Sequence, residues 1–332
     1  MADPRSPDLL VEVARARTSA ALFDLAACNP VGAGVLTFVG PDARRFCNGM
    51  FTNNIRNLPV GRANQNAMVD DKARIQGLHD LACLADSAEV GGHFRATLEG
   101  VATADFIARY EKYIIFDDLE LTDISEDWRV LSVQGPDATR ILERSGLPVP
   151  AAEGDVLPLG NDPTGATITR RARSVAGGFD LCVPAAETSE WAARLDLPYC
   201  DFATLERLRV EAGLVRWPVD MGERALPHEM RAVPRMCNFE KGCYIGQEVI
   251  NRIDVMGQVN KKVWGLVGAA LPESGTEVKS GDDVVGTVLS GVQEDGFVRT
   301  LVLLRKAAWE QGKALDAGGI PMTVSDLPFT PR

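Results

Sequence analysis

Residues 36–46 read LTFVGPDARRF, and residues 131–141 repeat the pattern as LSVQGPDATRI. Each stretch predicts an apolar strand, a glycine turn and a helix whose first turn carries Pro and Asp. Proline fits that turn because its missing N–H is not needed there, and an early aspartate is stabilised by the positive end of the helix dipole. The repeat predicts a pseudo-symmetric domain with a segment inserted between its halves. Gly-Pro-Asp turns are common, so a chance match stays open.

The segment between the two stretches predicts a small α+β unit. Residues 67–85 and 94–98 have strand patterns, residues 101–110 have a helical pattern, and residues 114–124 return to a strand pattern. An antiparallel sheet with helices on one side fits this order of elements. From residue 262 onward, short apolar strands alternate with glycine-rich turns, which predicts a small terminal β-barrel.

Charge and composition exclude several classes of function. The chain has 332 residues and a net charge of −11, so its long-range field repels polyanions and no direct binding of nucleic acid is expected. The most apolar stretch, residues 20–40, contains Asp24, Asn29 and Pro30, so no membrane span is expected. The N-terminal residues lack the pattern of a secretory signal. The seven cysteines form no CxxC pair, which favours a cytoplasmic protein over a disulfide-bonded one.

Several common catalytic motifs are missing from the sequence. There is no GxxxxGK[ST] phosphate loop and no GxSxG elbow. The three histidines do not have zinc-binding spacing, since His228-Glu229 is not followed by a second histidine four residues on. The sequence therefore predicts no NTPase, no serine hydrolase and no metal site.

The unusual segment is NFEKGCYIGQEVINRI at residues 238–253. Its two glycines allow sharp turns that bring the Cys243 thiol close to a ligand or partner. If Cys243 stands just before a helix, the helix dipole and the charge of Lys241 stabilise its thiolate. The alternative, a small buried cysteine that packs inertly in a turn, stays open. The predicted motif comprises Lys241, Gly242, Cys243, Tyr244, Gly246, Gln247 and Glu248.

Local charge also favours a site in this region. Between Arg224 and Lys262, seven basic residues stand against four acidic ones, within a chain of net charge −11. A basic patch of this size suits a small anion, and Lys241, Tyr244 and Arg252 are candidate contacts to such a ligand. Charges scattered over separate helix surfaces are the alternative.

KGCYIGQE resembles the signature of the YgfZ folate-binding proteins, which are relatives of the glycine-cleavage T-protein and of mitochondrial iron–sulfur assembly proteins. Further segments in the family order are ALFDL (21–25), GPDARRFCNGMFTNNIRNL (40–58), YEKYIIFDDLEL (110–121), VQGPDA (133–138) and RVEAGLVRWPVDM (209–221). The resemblance implies an α+β fold of three domains, arranged as a T-protein-like cloverleaf around a central folate-binding channel. The implied domains are a discontinuous folate-binding α+β domain (1–58 and 126–245), an inserted ferredoxin-like α+β domain (59–125) and a C-terminal β-barrel (256–332).

The resemblance also implies a cofactor, tetrahydrofolate or a derivative, and residues that bind it. The T-protein has an RxEAG segment whose glutamate recognises the pterin, and Glu211 of RVEAG is the matching position. A carboxylate can accept two parallel N–H bonds from the pterin edge. Residues 201–212 predict a helix that stops at Gly213, so the alternative is a plain charge near a helix end. Lys241 falls near the position of a basic residue that the T-protein places against folate.

One departure from the T-protein concerns its GGxxDD pattern, whose aspartate assists aminomethyl transfer. Residues 73–78, ARIQGL, hold no acid at either position, and Asp80 lies two residues further on. Loss of a positioned carboxylate commonly slows proton-transfer chemistry about 100–10,000-fold. The T-protein in turn lacks the cysteine of KGCYIGQE. Both differences disfavour the transferase reaction, and whether the chain is an enzyme stays open.

The resemblance therefore implies a tetrahydrofolate-binding accessory protein that supports iron–sulfur cluster assembly or repair, and indirectly tRNA modification. Cys243 is the expected reactive thiol, with Lys241 as its electrostatic partner. The expected partners are a reduced folate and iron–sulfur assembly factors or client iron–sulfur enzymes. Two alternatives remain: a folate-dependent aminomethyltransferase, and a non-catalytic scaffold whose folate cavity is vestigial.

Overall fold

The computed structural model describes residues 7–28, 33–89, 91–257, 259–294 and 296–330. The strands are β1 (Ala21–Asp24), β2 (Val35–Gly40), β3 (Arg62–Val69), β4 (Ile75–Ser87), β5 (Gly91–Glu99), β6 (Glu120–Asp123), β7 (Trp128–Gln134), β8 (Val156–Pro158), β9 (Thr167–Arg170), β10 (Gly178–Pro184), β11 (Lys261–Gly268), β12 (Glu277–Ser280), β13 (Asp283–Glu294), β14 (Phe297–Arg305), β15 (Ala314–Ala317) and β16 (Pro321–Ser325). The helices are α1 (Pro7–Thr18), α2 (Leu25–Cys28), α3 (Ala43–Met50), α4 (Thr103–Glu111), α5 (Ala138–Arg144), α6 (Thr188–Leu195), α7 (Phe202–Glu211), α8 (Val233–Met236) and α9 (Gln247–Met256). No helix in these ranges is long and apolar enough to cross a membrane.

The strands form two five-stranded sheets and a closed barrel. Sheet 1 has the order β1-β7-β10-β9-β8, and sheet 2 has the order β3-β4-β5-β2-β6. The barrel closes through β11-β14-β13-β12-β15-β16. Neighbouring strands within both sheets run antiparallel. The mixed α+β content and the terminal barrel confirm the predicted fold class.

The two repeated stretches form the same local structure. The first forms β2 followed by α3, and the second forms β7 followed by α5, which confirms the predicted strand–turn–helix units. The turn glycines have φ values of 146° at Gly40 and 140° at Gly135. A Cβ atom would collide with the backbone carbonyl of Asp118 at the first position and of Ser19 at the second. Glycine is therefore required in both units for the same steric reason.

The two units lie in different sheets. β2 lies next to the β6 edge of sheet 2, and β7 lies next to the β1 edge of sheet 1. The repeat thus relates one strand–turn–helix unit of each sheet. In the sequence, β2 lies before the predicted insert of 59–125. In the structure, it pairs with β5 and β6, whose residues belong to that insert. The predicted domain limits stay a prediction, but residues 35–40 belong to sheet 2.

Sheets 1 and 2 face each other across a cavity. On β4, Leu81 and Cys83 pack into the apolar core that includes residues of α3 and α4, whereas Leu78 and Asp80 line the space between the sheets. Alternation along a strand causes this division, because successive side chains point to opposite faces. Arg171, just after β9, bridges the space by pairing with Asp80 (Nε–Oδ2 3.0 Å). Ion pairs therefore join the two sheets.

The barrel packs against the rest of the chain through a shared apolar cluster. Ala67 and Ile75 of sheet 2 belong to the same buried cluster as Val263 and Leu301 of the barrel. Met230, from the segment between α7 and α8, is buried in this cluster too. The barrel is thus fixed to sheet 2. Two cavity-lining segments lie on the same side: residues 214–217, which follow α7, and residues 235–236, at the end of α8.

Candidate functional site

A cavity of about 870 Å³, counted to its open mouth, lies between the two sheets and α7. We call it the central cavity. Its apolar walls include Leu78, Phe202, Leu205, Trp217 and Met236. Sites for small molecules commonly have volumes of about 300–1,000 Å³ and mainly apolar walls with a few polar groups. The central cavity has these properties.

Helix α7 supplies one wall of the central cavity. Its start is fixed by Asp201, whose carboxylate accepts a hydrogen bond from the backbone N–H of Thr204 at 2.9 Å. Four residues at helical spacing, from Phe202 to Arg209, line the cavity. The N-cap therefore fixes where the helix begins, and these four residues form the face that a ligand meets.

Most arginines of the cavity lining are paired with protein carboxylates. The pairs are Arg171–Asp80 (3.0 Å), Arg173–Asp180 (2.6 Å), Arg209–Asp220 (2.7 Å) and Arg216–Glu206 (3.1 Å). Burial alone lowers the pKa of Arg173, but the charges of Asp180 and Glu99 outweigh burial and raise that pKa well above its ordinary value. These guanidinium groups hold the walls of the cavity together and stay charged.

Arg235 differs from these paired arginines. No carboxylate of the described residues forms an ion pair with it, although it lines the central cavity. Its side chain is accessible, yet surrounding protein and the charge of Arg171 lower its pKa. Arg235 therefore presents at the mouth of the cavity a positive charge without a direct ion pair, although the charges of Asp80 and Glu153 act on it from a longer distance.

Asp80 contributes a carboxylate to the central cavity. It lies two residues beyond residues 73–78, which contain no acid. It shares a face of β4 with Leu78 because the two positions are two residues apart. Its Oδ2 atom accepts a hydrogen bond from Arg171, and its Oδ1 atom has no bond to a described residue. Asp80 is therefore the carboxylate that this strand contributes to the cavity. Alternation from Leu78 is the sequence signal that places Asp80 on the cavity face of the strand.

Glu211 lies on another face of α7 and does not line the central cavity. Its carboxylate pairs with Arg17 of α1 and with Arg299 of β14 (3.4 Å). Arg17 also pairs with Glu294 of β13 at 2.6 Å, so the group connects α1 and α7 to the barrel. The predicted contact of Glu211 with a pterin has no support from this position. The carboxylates that line the cavity are Asp80, Glu99 and Glu206.

The KGCYIGQE segment forms a loop that leads into α9. All seven cysteines lie in described residues, and only Cys243 is exposed. This exposure excludes the alternative of a buried, inert cysteine. Tyr244 is buried in a small cluster with Ala73 and Ile250, whereas Arg252 is exposed on α9. Within the described ranges, the motif and Arg252 do not line the central cavity, so their predicted folate contacts stay predictions.

Lys241 is buried and anchors this loop. Its Nζ atom donates to the backbone carbonyls of Phe51 and Asn53, each at 2.6 Å, and lies 4.8 Å from the centre of the Tyr244 ring. Burial lowers the pKa of Lys241 to about 7. Because the ammonium group points into the protein, the structure does not bring it together with the exposed thiol of Cys243.

We expect the variant Lys241→Met to lose a pH-dependent part of the free energy of unfolding. The pKa of Lys241 is about 7 in the folded chain, whereas an unperturbed lysine has a pKa of 10.5. Between these two pH values, the unfolded chain therefore holds a proton that the folded chain has released. The contribution of Lys241 to stability therefore grows as the pH rises through this window and is lost as the pH falls through 7. Relative to Lys241→Met, the wild type should gain about 2 kcal/mol between pH 7 and pH 9. Urea unfolding at both pH values measures the gain.

The exposed Lys306 provides the control for this experiment. Lys306→Met should leave the pH dependence of unfolding unchanged, because its ammonium group stays in water in both states. The same pH dependence in Lys241→Met and the wild type would contradict the proposed burial of the ammonium group.

Residues 51–53 connect the loop to the central cavity. The carbonyls of Phe51 and Asn53 accept the two hydrogen bonds of Lys241. The hydroxyl of Thr52 donates a hydrogen bond to the carbonyl of Met236 at 2.5 Å. Asn53 Nδ2 donates to the carbonyl of Arg235 at 3.0 Å. Met236 and Arg235 both line the cavity. One short segment therefore supports the exposed cysteine loop on one side and the cavity mouth on the other.

Two family models match the chain. The model of the GCVT N-terminal domain matches residues 3–241, and the model of the CAF17 C-terminal beta-barrel domain matches residues 258–332. The chain belongs to the YgfZ/GcvT family. The resemblance first drawn from KGCYIGQE is thereby confirmed over nearly the whole length of the chain.

Curated relatives of this YgfZ/GcvT protein include proteins named aminomethyltransferase. That of Rubrobacter xylanophilus is 24% identical over 340 residues, which cover 95% of this chain and 84% of the relative. That of Corynebacterium aurimucosum is 28% identical over 344 residues, which cover 95% and 88%. The crystal structure of the glycine cleavage system aminomethyltransferase T from Bartonella henselae matches with a TM-score of 0.83 at 22% identity, covering 97% of this chain and 89% of that one. This similarity confirms the T-protein-like fold.

Most of the charged residues that line the cavity of this YgfZ/GcvT protein were not predicted from the sequence. Its members come from segments as far apart as Asp80 and Arg235. The one local signal is the basic run RRAR at residues 170–173, from which Arg171 and Arg173 both line the cavity. Their spacing of two residues places both side chains on one side of the extended segment that follows β9.

Proposed function

We propose that this chain binds tetrahydrofolate, or a derivative, in the central cavity and supports the assembly or repair of iron–sulfur clusters. The observation that carries the folate part is the cavity, with aromatic walls, carboxylates between the sheets and an unpaired arginine at its mouth. Membership of the YgfZ/GcvT family supports the same ligand.

The lining fits the parts of a reduced folate. Phe202 and Trp217 offer flat apolar surface to a pterin or benzoyl ring. Asp80 and Glu99 each keep one carboxylate oxygen that has no bond to a described residue and can accept an N–H from the pterin edge. Arg235 attracts the carboxylates of the glutamate tail. The donor and acceptor types thus match the ligand from one end to the other.

The exposed Cys243 thiol supports the iron–sulfur part of the proposal. It lies at the surface, where a partner protein can reach it. A single thiol does not hold a cluster, which normally needs about four ligands. We therefore propose that an assembly factor or a client enzyme, such as a tRNA-modifying iron–sulfur enzyme in the cytoplasm, supplies the remaining ligands. This division of roles leaves folate binding to the cavity and the partner contact to the loop.

The variant Asp80→Asn tests folate binding. Asparagine keeps the shape and an acceptor for Arg171 but loses the charge, so the affinity for tetrahydrofolate should fall about 10–100-fold, the usual effect of losing a charged hydrogen bond. Titration calorimetry under anaerobic conditions measures the affinity. Asp86→Asn is the matched control, since Asp86 lies on the same strand and pairs with Arg44 (2.8 Å) outside the cavity. Equal affinities in both variants would contradict a role for Asp80.

The variant Cys243→Ala tests the role of the thiol. In a strain that lacks this protein, it should fail to restore the activity of iron–sulfur enzymes, while its affinity for tetrahydrofolate stays at the wild-type level. Cys237→Ala is the control, because Cys237 is only partly exposed and burial raises the pKa of its thiol. Full restoration by Cys243→Ala would remove the thiol from the proposal and leave folate binding intact.

Asp80 also favours a second candidate, a folate-dependent aminomethyltransferase. A carboxylate is the group whose absence from residues 73–78 spoke against this reaction, and the relatives named above carry that name. Release of ammonia and methylene-tetrahydrofolate from an aminomethyl-lipoyl carrier, lost in Asp80→Asn, would establish it. An absence of heat on titration with tetrahydrofolate would instead favour a scaffold with a vestigial cavity.

A further inference from the structure

Three exposed apolar residues fall within four positions of the segment between α4 and β6. Phe116 is 95% exposed, Ile115 is 70% exposed and Tyr113 is 41% exposed. Within the described ranges, Phe116 is the most exposed of the large apolar residues. Single apolar residues scattered over a surface are ordinary, whereas a group of them is typical of an interaction surface. We call residues 113–116 the apolar tip.

The backbone that carries the apolar tip is fixed at both ends. At its start, the N–H of Tyr113 donates to the carbonyl of Tyr110 at 2.9 Å. Just beyond its end, the N–H of Asp118 donates to Asp42 Oδ2 at 2.9 Å, and the carbonyl of Asp118 accepts from the N–H of Asp42 at 3.1 Å. Between these points, Ile114 packs against the apolar core that α3 and α4 form with sheet 2. A partner that covers the tip therefore does not have to order this loop first.

Acidic residues surround the apolar tip. Residues 111–120, EKYIIFDDLE, contain four acids and one base, Lys112. Arg45 pairs with both Asp117 (2.8 Å) and Asp42 (3.2 Å), so it offsets only one of these two charges. Three exposed acids of the segment form no ion pair with a described residue: Glu111, Asp118 and Glu120. The surroundings of the tip therefore keep a negative net charge.

These charges decide which occupant fits the apolar tip. The negative surface of an anionic membrane would repel the acids around it. A second copy that met the same tip across a two-fold axis would bring like charges together. A protein pocket with apolar walls and a rim of lysine or arginine complements both the apolar and the charged part of this surface.

We propose that the apolar tip docks into such a pocket on a partner protein, with the ring of Phe116 as its anchor. An aromatic side chain that enters a pocket commonly supplies much of the binding energy of an interface, while the charges of the rim select the partner. Residues 113–116 do not line the central cavity. The inference therefore goes beyond the proposed function, since it requires neither folate nor Cys243.

Cross-linking in cells of the source organism, followed by titration, tests the inference. A photo-reactive benzoylphenylalanine at position 116 of the full chain should cross-link to one protein, which is identified by mass spectrometry and then purified. In a titration of that protein with the unlabelled chain, Phe116→Ser should weaken binding at least about tenfold, because the anchor is lost. Asp118→Lys combined with Glu120→Lys should also weaken binding, and added salt should reduce the effect of this charge reversal.

The controls separate docking from folding. Phe116→Ser should have the wild-type free energy of unfolding, because the replaced side chain is 95% exposed. Val60→Ser is the matched control, since Val60 is 52% exposed in the loop before β3 and should leave the affinity for the partner unchanged.

Several outcomes would overturn the proposal. Equal affinities of Phe116→Ser and the wild type would remove the anchor, and an unchanged affinity after the charge reversal would remove the basic rim of the pocket. Cross-links no stronger at position 116 than at position 60 would show that nothing covers the tip. A cross-link between two copies, with a dimer in sedimentation that Phe116→Ser abolishes, would make a second copy the occupant. Binding to vesicles of equal parts phosphatidylcholine and phosphatidylglycerol, lost in Phe116→Ser, would make a membrane the occupant.

Discussion

Replacement of Arg209 with methionine is expected to lower the free energy of unfolding by about 3–5 kcal/mol. The Arg209 guanidinium group donates to Asp220 Oδ2 at 2.7 Å and to Ser290 Oγ at 2.9 Å, and the Asp220 side chain is 0% exposed. In the variant this buried carboxylate loses its counterion and keeps only the backbone N–H of Arg216 as a donor. Methionine fills much of the same volume, so the loss is chiefly electrostatic. Urea unfolding measures it.

A double variant separates this electrostatic loss from simple disruption of packing. Arg209→Met combined with Asp220→Asn removes both charges, so it should be more stable than Arg209→Met alone. The surface pair Arg140–Asp137 is the control, because the Arg140 side chain is 74% exposed. Arg140→Met should cost about 0–1 kcal/mol. If Arg209→Met cost no more than this control, the buried ion pair would have no part in stability.

The variant Gly246→Ala is expected to cost about 2–4 kcal/mol, because alanine there meets both backbone strain and a collision. Gly246 has a φ value of 80°, in the left-handed region. A Cβ atom would lie 2.7 Å from the carbonyl oxygen of Asp70 and 3.2 Å from the Cα atom of Ala73. The loop that carries Cys243 rests on this turn between β3 and β4. The free energy of unfolding measures the cost, and restoration of iron–sulfur enzymes in a deficient strain should fall with it.

Gly242 provides a matched control within the same motif. It does not have a positive φ value, and a Cβ atom would meet only the end of the flexible Arg56 side chain at 3.4 Å. Gly242→Ala should therefore change stability by less than about 1 kcal/mol, and can even stabilise the chain by restricting its unfolded state. Equal effects of the two alanines would show that the close approach at Gly246 does not hold the loop in place.

Local patterns allowed much of the fold to be predicted. The strand–turn–helix units at 36–46 and 131–141 depend on neighbouring residues alone, and both were found as expected. The strand predicted at 114–124 was confirmed only for Glu120–Asp123. The sheet that β2 joins could not be predicted, because its partner strands β5 and β6 lie more than fifty residues further along the chain.

The site was harder to predict than the fold for a related reason. Glu206 and Glu211 lie five positions apart on α7 and so face different directions, one toward the cavity and the other toward α1 and the barrel. Both faces of the helix meet protein, so helical periodicity does not show which acid a ligand would reach. The resemblance selected Glu211, whereas the packing of the sheets placed Glu206 at the cavity.

The amino-acid sequence alone was sufficient to identify the family, the terminal barrel and the unusual loop around Cys243, because each of them depends on a pattern of neighbouring residues. The exposure of that thiol, the inward direction of Lys241 and the convergence of Asp80, Arg171 and Arg235 on one cavity depend on contacts between distant segments. Such contacts form only when two sheets and a helix pack together. For this reason the chemistry of the cavity became visible only in the folded chain.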